Sequence, residues 1–139
     1  MRLVRACAPI VLTSALFTGA TAHAAPSRQS EIPKPVTAAA RAMHCDIVNH
    51  LYSSPGETPV FNGETCKTDH FGYFTVRLYK NATQATAYWL DDVLAGAPQA
   101  WIAKKGRLFV IPDDPSRPYT ESAARYAAKK IGGKAVHGR

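Results

Sequence analysis

The chain has 139 residues, 46% of them hydrophobic, and its seventeen Lys and Arg residues exceed its ten Asp and Glu residues, which gives a net charge of +7 at pH 7. This length suits one small domain with a single core and argues against a multidomain protein. The sequence has no Gly-x-Ser-x-Gly, His-Glu-x-x-His or phosphate-loop motif, so several common enzyme classes lack their markers.

Residues 1–24 have the three parts of a secretory signal peptide. Arg2 and Arg5 supply a positive start, residues 6–20 form an apolar run, and Ala22-His23-Ala24 is a small-x-small cleavage site. A membrane anchor is the alternative, but a run of about 15 residues is shorter than the roughly 20 needed to span a bilayer. The pattern predicts a secreted protein, extracellular or periplasmic, with no later transmembrane segment.

The first elements of the mature chain are a tether and a helix. Residues 25–36 are rich in Pro and Ser without periodicity, which predicts a disordered tether ahead of a single domain spanning residues 37–133. Thr37 is a candidate N-cap, and Met43, Ile47 and Leu51 recur at helical spacing, so the pattern predicts a helix that continues to Tyr52.

Two cysteines remain after the signal peptide, and three histidines lie near them. Cys45 and Cys66, with His44, His50 and His70, have spacings that resemble a metal-ligand set. Structural zinc sites usually have tighter repeats such as Cys-x2-Cys, and an exported pair of cysteines normally oxidises. The interpretation is therefore a Cys45–Cys66 disulfide, with a metal site and a free reactive thiol as weaker alternatives.

The rest of the domain alternates between strands and helices. Its composition predicts a loop ahead of Asp69, a helix capped by Asn81 and ended by Gly96, a hairpin around Lys104-Lys105-Gly106, a helix stopped by Gly132-Gly133, and a loose basic tail at 134–139. The expected strands are 71–79, 99–103 and 107–111.

This order predicts an α+β fold in which the N-terminal helix is attached by the disulfide to a β-α-β-β-α unit. The simplest sheet has three strands with the last in the centre, which resembles a ferredoxin-like split βαβ unit lacking its last strand. We expect the two later helices to cover the face that carries Phe74, Val76 and Leu78. The N-terminal helix should then cover the other face or an edge.

The second sheet face is a candidate binding surface. Tyr73, Arg77 and Tyr79 alternate onto it, and Trp101 and Arg107 are expected to join them from the neighbouring strands. Aromatic rings interleaved with arginine can bind a peptide or polymer by stacking and bidentate hydrogen bonds. The alternative is that the N-terminal helix covers this face, in which case the rings belong to the core.

Positive charge is concentrated in the last third of the chain. From Lys104 onward there are nine basic and three acidic residues, and Lys104, Lys105 and Arg107 are expected to act with Lys129 and Lys130. Such a region suits anionic partners, including lipid head groups, cell-wall polymers and nucleic acid, although no nucleic-acid-binding motif accompanies it. The alternative is a solvated face whose helix end carries cations against its dipole.

The segment FNGETCKTDHFGY, residues 61–73, resembles the active-site segment of bacterial and fungal secreted phospholipases A2, in which a disulfide cysteine is followed by His-Asp-Phe-Gly-Tyr. The resemblance implies a calcium-dependent hydrolase with its catalytic base at Asp69 and its calcium-binding position at His70, so the His-Asp order is swapped. In the family this segment is helical, whereas the alternation of residues 75–79 here indicates a strand.

The sequence thus favours a small secreted, non-catalytic binding protein that uses no cofactor or metal. Its expected partner is a protein or an anionic surface, and an inhibitor-type module is one form such a protein takes. The competing hypothesis is a small secreted hydrolase that uses Asp69 and His70. The two classes differ in geometry, since an enzyme needs a histidine and a carboxylate converging in a pocket, whereas a binding protein needs an open patch.

Overall fold

The computed structural model describes residues 31–138, so the predicted signal peptide and the first part of the tether lie outside the described residues. Six strands form one antiparallel sheet in the order β1-β2-β3-β5-β4-β6. The strands are β1 Asp46–Tyr52, β2 Phe61–Thr68, β3 Gly72–Tyr79, β4 Trp101–Lys105, β5 Leu108–Pro112 and β6 Lys134–His137.

Helices cover both faces of this sheet. The helices are α1 Lys34–Ala42, α2 Ala82–Thr86, which continues as a π-helical segment Ala87–Val93, and α3 Glu121–Ile131. α1 and α3 pack on the face that carries Phe74 and Val76, while α2 and the π-helical segment pack on the face that carries Tyr79 and Phe109. The fold is therefore three-layered, with one hydrophobic cluster on each side of the sheet.

Several predictions from the sequence are confirmed. The fold is mixed α+β, and Cys45 and Cys66 form a disulfide with Cα atoms 5.4 Å apart. The strands predicted at 71–79, 99–103 and 107–111 correspond to β3, β4 and β5, and β5 lies between the other two. Asn81 caps α2, because its side-chain oxygen accepts the backbone N–H groups of Thr83 and Gln84.

The prediction of a three-stranded, ferredoxin-like sheet is wrong. β1 and β2 extend the sheet beyond β3, and β6 adds a strand beside β4. Segment 61–68 was expected as a loop because it contains Gly63 and follows a Pro- and Gly-rich stretch, yet it pairs with strands on both sides. The expected basic tail is also a strand, since Lys134–His137 pairs with β4. Four residues are too few to show a period in the sequence.

The prediction of a long N-terminal helix that continues to Tyr52 is wrong in its second half. α1 begins at Lys34, within the predicted tether, and ends at Ala42. His44 follows with a positive φ of 52°, and the N–H groups of His44 and Cys45 bond to the carbonyls of Arg41 and Ala40, the pairing of a Schellman motif. After this turn the chain is extended, and Ile47 and Val48 belong to β1. β-Branched residues favour strands, and the neighbouring β2 offers backbone hydrogen-bond partners.

The distribution of the helices differs from the prediction as well. The two later helices were expected on one face, but α2 with its π-helical segment and α3 lie on opposite faces. α1 shares the Phe74 face with α3, and the Tyr126 hydroxyl donates a 2.7 Å hydrogen bond to the Met43 carbonyl at the end of α1. The aromatic side of β3 is therefore covered by the helix that directly follows it in the chain.

A carboxylate is buried beneath the α1–α3 layer. Glu64 alternates with Cys66 on β2 and lies opposite Val76, and its side chain is 0% exposed. Neither of its oxygens has a hydrogen-bond partner among the described residues. Burial raises the pKa of Glu64 above its usual 4.5, while the neighbouring His50 acts in the opposite direction. The folded protein therefore holds the Glu64 proton more tightly than the unfolded chain does.

We predict that the free energy of unfolding falls as pH rises from about 4.5 through the raised pKa of Glu64, because the folded state holds this proton more tightly than the unfolded chain. Glu64→Gln should remove this loss and be the more stable protein at pH 7 to 8, by about 1.4 kcal/mol for each pH unit separating the two pKa values. Urea unfolding between pH 4 and 8 measures it, with exposed Glu57→Gln as the control. Parallel stability curves for wild type and Glu64→Gln would contradict the prediction.

Candidate functional site

One end of the sheet carries three adjoining grooves, which we call the basic end. It lies where β1, β3 and β4 finish and where β2, β5 and β6 begin, as the antiparallel order requires. The three grooves are named here the central, hairpin and edge grooves. They are joined because Leu78 and Arg107 line both the central and edge grooves, and Lys105 lines both the central and hairpin grooves.

The central groove has an apolar floor and a cationic rim. Its volume is about 350 Å³, and it lies between α1, the end of β3, the β4–β5 hairpin and the last turn of α3. The floor is built from small and aliphatic residues: Pro35, Ala38, Ala39, Ala42, Leu78, Leu108 and Ile131. The rim carries Lys105, Arg107 and Lys130. These cations come from two elements that are separated by about twenty residues in the chain and that the fold brings to one opening.

The hairpin groove has a volume of about 400 Å³ and lies between the β4–β5 turn and the start of β6, where it adds Lys104 and Lys134 to the basic end. The edge groove has a volume of about 280 Å³ and lies beside the start of α1 and the ends of β1 and β3, where it adds Lys80. Gly133 is required in this region, because a Cβ atom there would lie 2.4 Å from the Lys104 carbonyl oxygen.

Positive charge dominates the basic end. Its three grooves are lined by six cations and by no Asp or Glu: Lys80, Lys104, Lys105, Arg107, Lys130 and Lys134. The ion pair that the structure records between described residues, Arg125–Glu121, uses none of these six. Asp69, Asp113 and Asp114 follow the far ends of β2 and β5, so the topology puts them at the opposite end of the sheet.

Local contacts hold some of these cations and leave another free. The Lys105 ammonium donates a 2.9 Å hydrogen bond to the Ile131 carbonyl at the end of α3, a favourable position for a cation at a helix C-terminus. Lys104 donates to the Thr86 hydroxyl, and the Lys130 ammonium lies 5.6 Å from the centre of the Tyr126 ring. The Arg107 side chain is exposed and makes no hydrogen bond or ion pair with any described residue.

The predicted aromatic–arginine face is mostly core. Tyr79 is 1% exposed, and its hydroxyl accepts a 2.6 Å hydrogen bond from the Trp89 indole in the π-helical segment. The Arg77 guanidinium lies 4.3 Å from the centre of the Phe61 ring and 5.6 Å from that of Trp89. Arg77 is thus held between rings beneath α2 and its extension, where cation–π contacts and packing contribute to stability.

Trp101 and Tyr73 lie away from that cluster. Trp101 was expected on the Arg77 face, but the register pairs Lys104 with Phe109, so Trp101 alternates onto the opposite face. There it contacts Arg125 of α3 at 5.2 Å from its ring centre and the His137 ring at 4.7 Å. Strand alternation predicts which residues share a face only after the pairing register is known. Tyr73 lies at the far end of β3, with the Lys67 ammonium 5.4 Å from its ring centre.

The segment that resembles phospholipase A2 forms a β-hairpin rather than a helix. Residues 61–68 and 72–79 are β2 and β3, and Asp69 and His70 are exposed in the turn between them. Neither residue lines a groove of the basic end. The helical geometry that the resemblance implies is therefore wrong for this chain. Within residues 31–138, no three His, Cys, Asp or Glu side chains come together as a possible metal site.

Two kinds of site residue were missed in the sequence. Lys80 and Lys134 were not expected at the basic end, because their neighbours Phe61 and Val136 lie on strands that the sequence did not reveal. The alanines of α1 were not singled out in the sequence, although Ala38 and Ala42 line the central groove. Sequence spacing contained no signal for either, since both depend on contacts between distant segments.

Comparison with protein-family models, curated proteins and solved structures finds no match for this chain. In the described part of the chain, no helix has the length and apolar character needed to cross a bilayer. The functional argument therefore depends on the geometry and charge of the basic end.

We predict that Arg77→Ala lowers the free energy of unfolding by about 1–3 kcal/mol, because it removes a guanidinium packed between Phe61 and Trp89. Arg107→Ala, a matched change at an exposed arginine, should alter it by less than about 0.5 kcal/mol. Urea unfolding of the two variants measures the difference. Equal stability of the two variants would show that Arg77 is not part of the core.

Proposed function

We propose that this protein is a non-catalytic binding module that contacts an anionic surface through its basic end. The observation that carries the proposal is the convergence of Lys105, Arg107 and Lys130 on one apolar groove whose lining has no acidic residue. Cations that line the same groove add their attraction for one anionic group. A scattered surface of solubilising lysines would not concentrate charge at one end of the sheet.

The electrostatic asymmetry of the molecule supports the same function. Six cations line the grooves of the basic end, where the loop between β1 and β2 adds one acidic residue, Glu57. The opposite end has four acidic residues and two cations: Asp46, Asp69, Asp113, Asp114, Lys67 and Arg117. Such a distribution orients the protein as it approaches a negatively charged surface, and the effect extends over about one Debye length, near 8 Å at physiological salt. The basic end would reach the surface first, with the groove openings toward it.

The apolar floor favours a lipid surface over a purely polar polymer. Leu78, Leu108 and Ile131 contribute aliphatic surface beside the cations of the rim. An interface that offers both anionic head groups and hydrocarbon matches this combination, because the cations bind the head groups while apolar groups leave water. The position of Asp69 and His70 in an exposed hairpin turn, away from these grooves, favours binding over hydrolysis at this end.

The test is retention of the oxidised protein on vesicles made of phosphatidylglycerol and phosphatidylcholine. Replacing Lys105, Arg107 and Lys130 together with Ser should weaken retention roughly a hundredfold, because each cation near an anionic surface contributes about 1 kcal/mol. Retention of the wild type should also fall steeply as salt rises. The protein should still fold, since the three side chains are exposed and the hydrogen bond that is lost, from Lys105 to the Ile131 carbonyl, contributes about 1 kcal/mol.

The matched control replaces Arg41, Lys67 and Arg117, three exposed cations that line none of the three grooves, with Ser. It removes the same net charge and should keep most of the retention. If the two triple variants lose retention equally, net charge rather than the basic end governs binding, and the proposal fails.

A further inference from the structure

We propose that the central groove binds one alkyl chain of a fatty acid, with the carboxylate held by Arg107 at the rim. This inference rests on the proposed function, because it names the kind of lipid that the basic end recognises. The groove volume of about 350 Å³ is within the range of small-molecule sites. It corresponds to a chain of roughly ten to twelve carbons if each methylene takes about the volume of one water, ~30 Å³.

The floor is suited to a hydrocarbon chain. Ala38 and Ala42 lie one turn apart on α1, and their short side chains leave space between the helix and the β4–β5 hairpin. Leu78 and Leu108 lie across the β3–β5 pairing from each other, and Ile131 at the end of α3 completes the floor. These groups offer carbon surface to a bound chain without a buried polar atom that would need a partner.

The rim is suited to one carboxylate. Arg107 lies at the junction of the central and edge grooves, and its guanidinium makes no hydrogen bond or ion pair with a described residue. A guanidinium can donate two parallel hydrogen bonds to the two oxygens of a carboxylate. Lys105 already donates to the Ile131 carbonyl, and Lys130 lies against Tyr126. These two lysines therefore add positive charge, while Arg107 donates the two hydrogen bonds to the carboxylate.

The proposed ligand is therefore defined by its negative charge together with its alkyl chain. A carboxylate without an alkyl chain would bind the cations of the rim but leave the apolar floor exposed to water. A neutral alkyl compound would cover the floor but offer no carboxylate to Arg107. A positively charged amphiphile would be repelled by Lys105, Arg107 and Lys130. This combination gives the inference a test that surface retention alone does not provide.

The experiment is a calorimetric titration of the oxidised protein with sodium octanoate, decanoate and dodecanoate, below the concentrations at which they form micelles. Affinity should rise with each added methylene, by at most about fourfold, the factor for a methylene transferred completely from water to an apolar site. Dodecyltrimethylammonium and dodecyl maltoside, which carry the same chain on cationic and neutral head groups, should bind at least about tenfold more weakly than dodecanoate, because neither can accept the Arg107 hydrogen bonds. An affinity independent of chain length, or equal binding of all three dodecyl compounds, would overturn the inference.

Two variants separate the floor from the rim. Ala38→Trp should fill the groove and abolish the dependence on chain length, whereas Ser122→Trp, on an exposed position of α3 outside the groove, should leave it unchanged. Arg107→Gln should weaken all three carboxylates by a similar factor of ten or more and keep the dependence on chain length. Dodecyl phosphate that binds more tightly than dodecanoate would assign the site to a lipid phosphate and overturn the fatty acid assignment.

The inference and the proposed function fail separately. If vesicle retention requires the basic end but dodecanoate does not bind, the surface contact stands and the alkyl-chain site is wrong. If dodecanoate binds as described but retention is unaffected by replacing Lys105, Arg107 and Lys130, the groove is a soluble-ligand site and the proposed surface contact is wrong.

Discussion

The Cys45–Cys66 disulfide is the constraint on which the rest of the structure depends. It joins the turn after α1 to β2, the second strand of the sheet, and the loop that it closes contains the whole of β1. For a loop of this size, chain-entropy arithmetic gives a stabilisation of roughly 3 kcal/mol, a large part of the total for a small domain. α1 has only nine residues and would be marginal alone, so its position depends on this link and on Val36 and Met43 packing onto the sheet.

The central groove is a consequence of the position of α1. Fixed over β3, α1 directs Val36, Ala39, Ala40 and Met43 into the core and leaves Ala38 and Ala42 beside the β4–β5 hairpin. The hairpin turn then brings Lys105 to the end of α3, where the Ile131 carbonyl accepts its hydrogen bond. The cationic rim and the apolar floor thus arise from separate segments that the disulfide, the hairpin and the helix end hold in one place.

The parts of this fold that were predictable from the sequence have strong local signals. β3 alternates clearly, Asn81 and Gly132 mark helix ends, and two cysteines after a predicted signal peptide predict a disulfide. β1, β2 and β6 were missed because their partners decide their structure. Residues 46–52 keep helical spacing in sequence and become a strand only because His44 ends α1 and β2 offers a ladder. The grooves depend on these pairings, so the sequence allowed the rim cations Lys105, Arg107 and Lys130 to be predicted but not the floor beneath them.

The most direct test of this account is amide hydrogen exchange of the oxidised and the reduced protein. If the disulfide holds α1 against the sheet, reduction should speed exchange at Met43 and Cys45, whose amides bond to carbonyls within α1, much more than at Val110 in the central strand β5. The central strand should stay protected because its pairing with β3 and β4 does not involve the bridge. Unchanged protection of α1, or equal acceleration of exchange in α1 and β5, would contradict the claim that the disulfide positions α1, which lines the central groove.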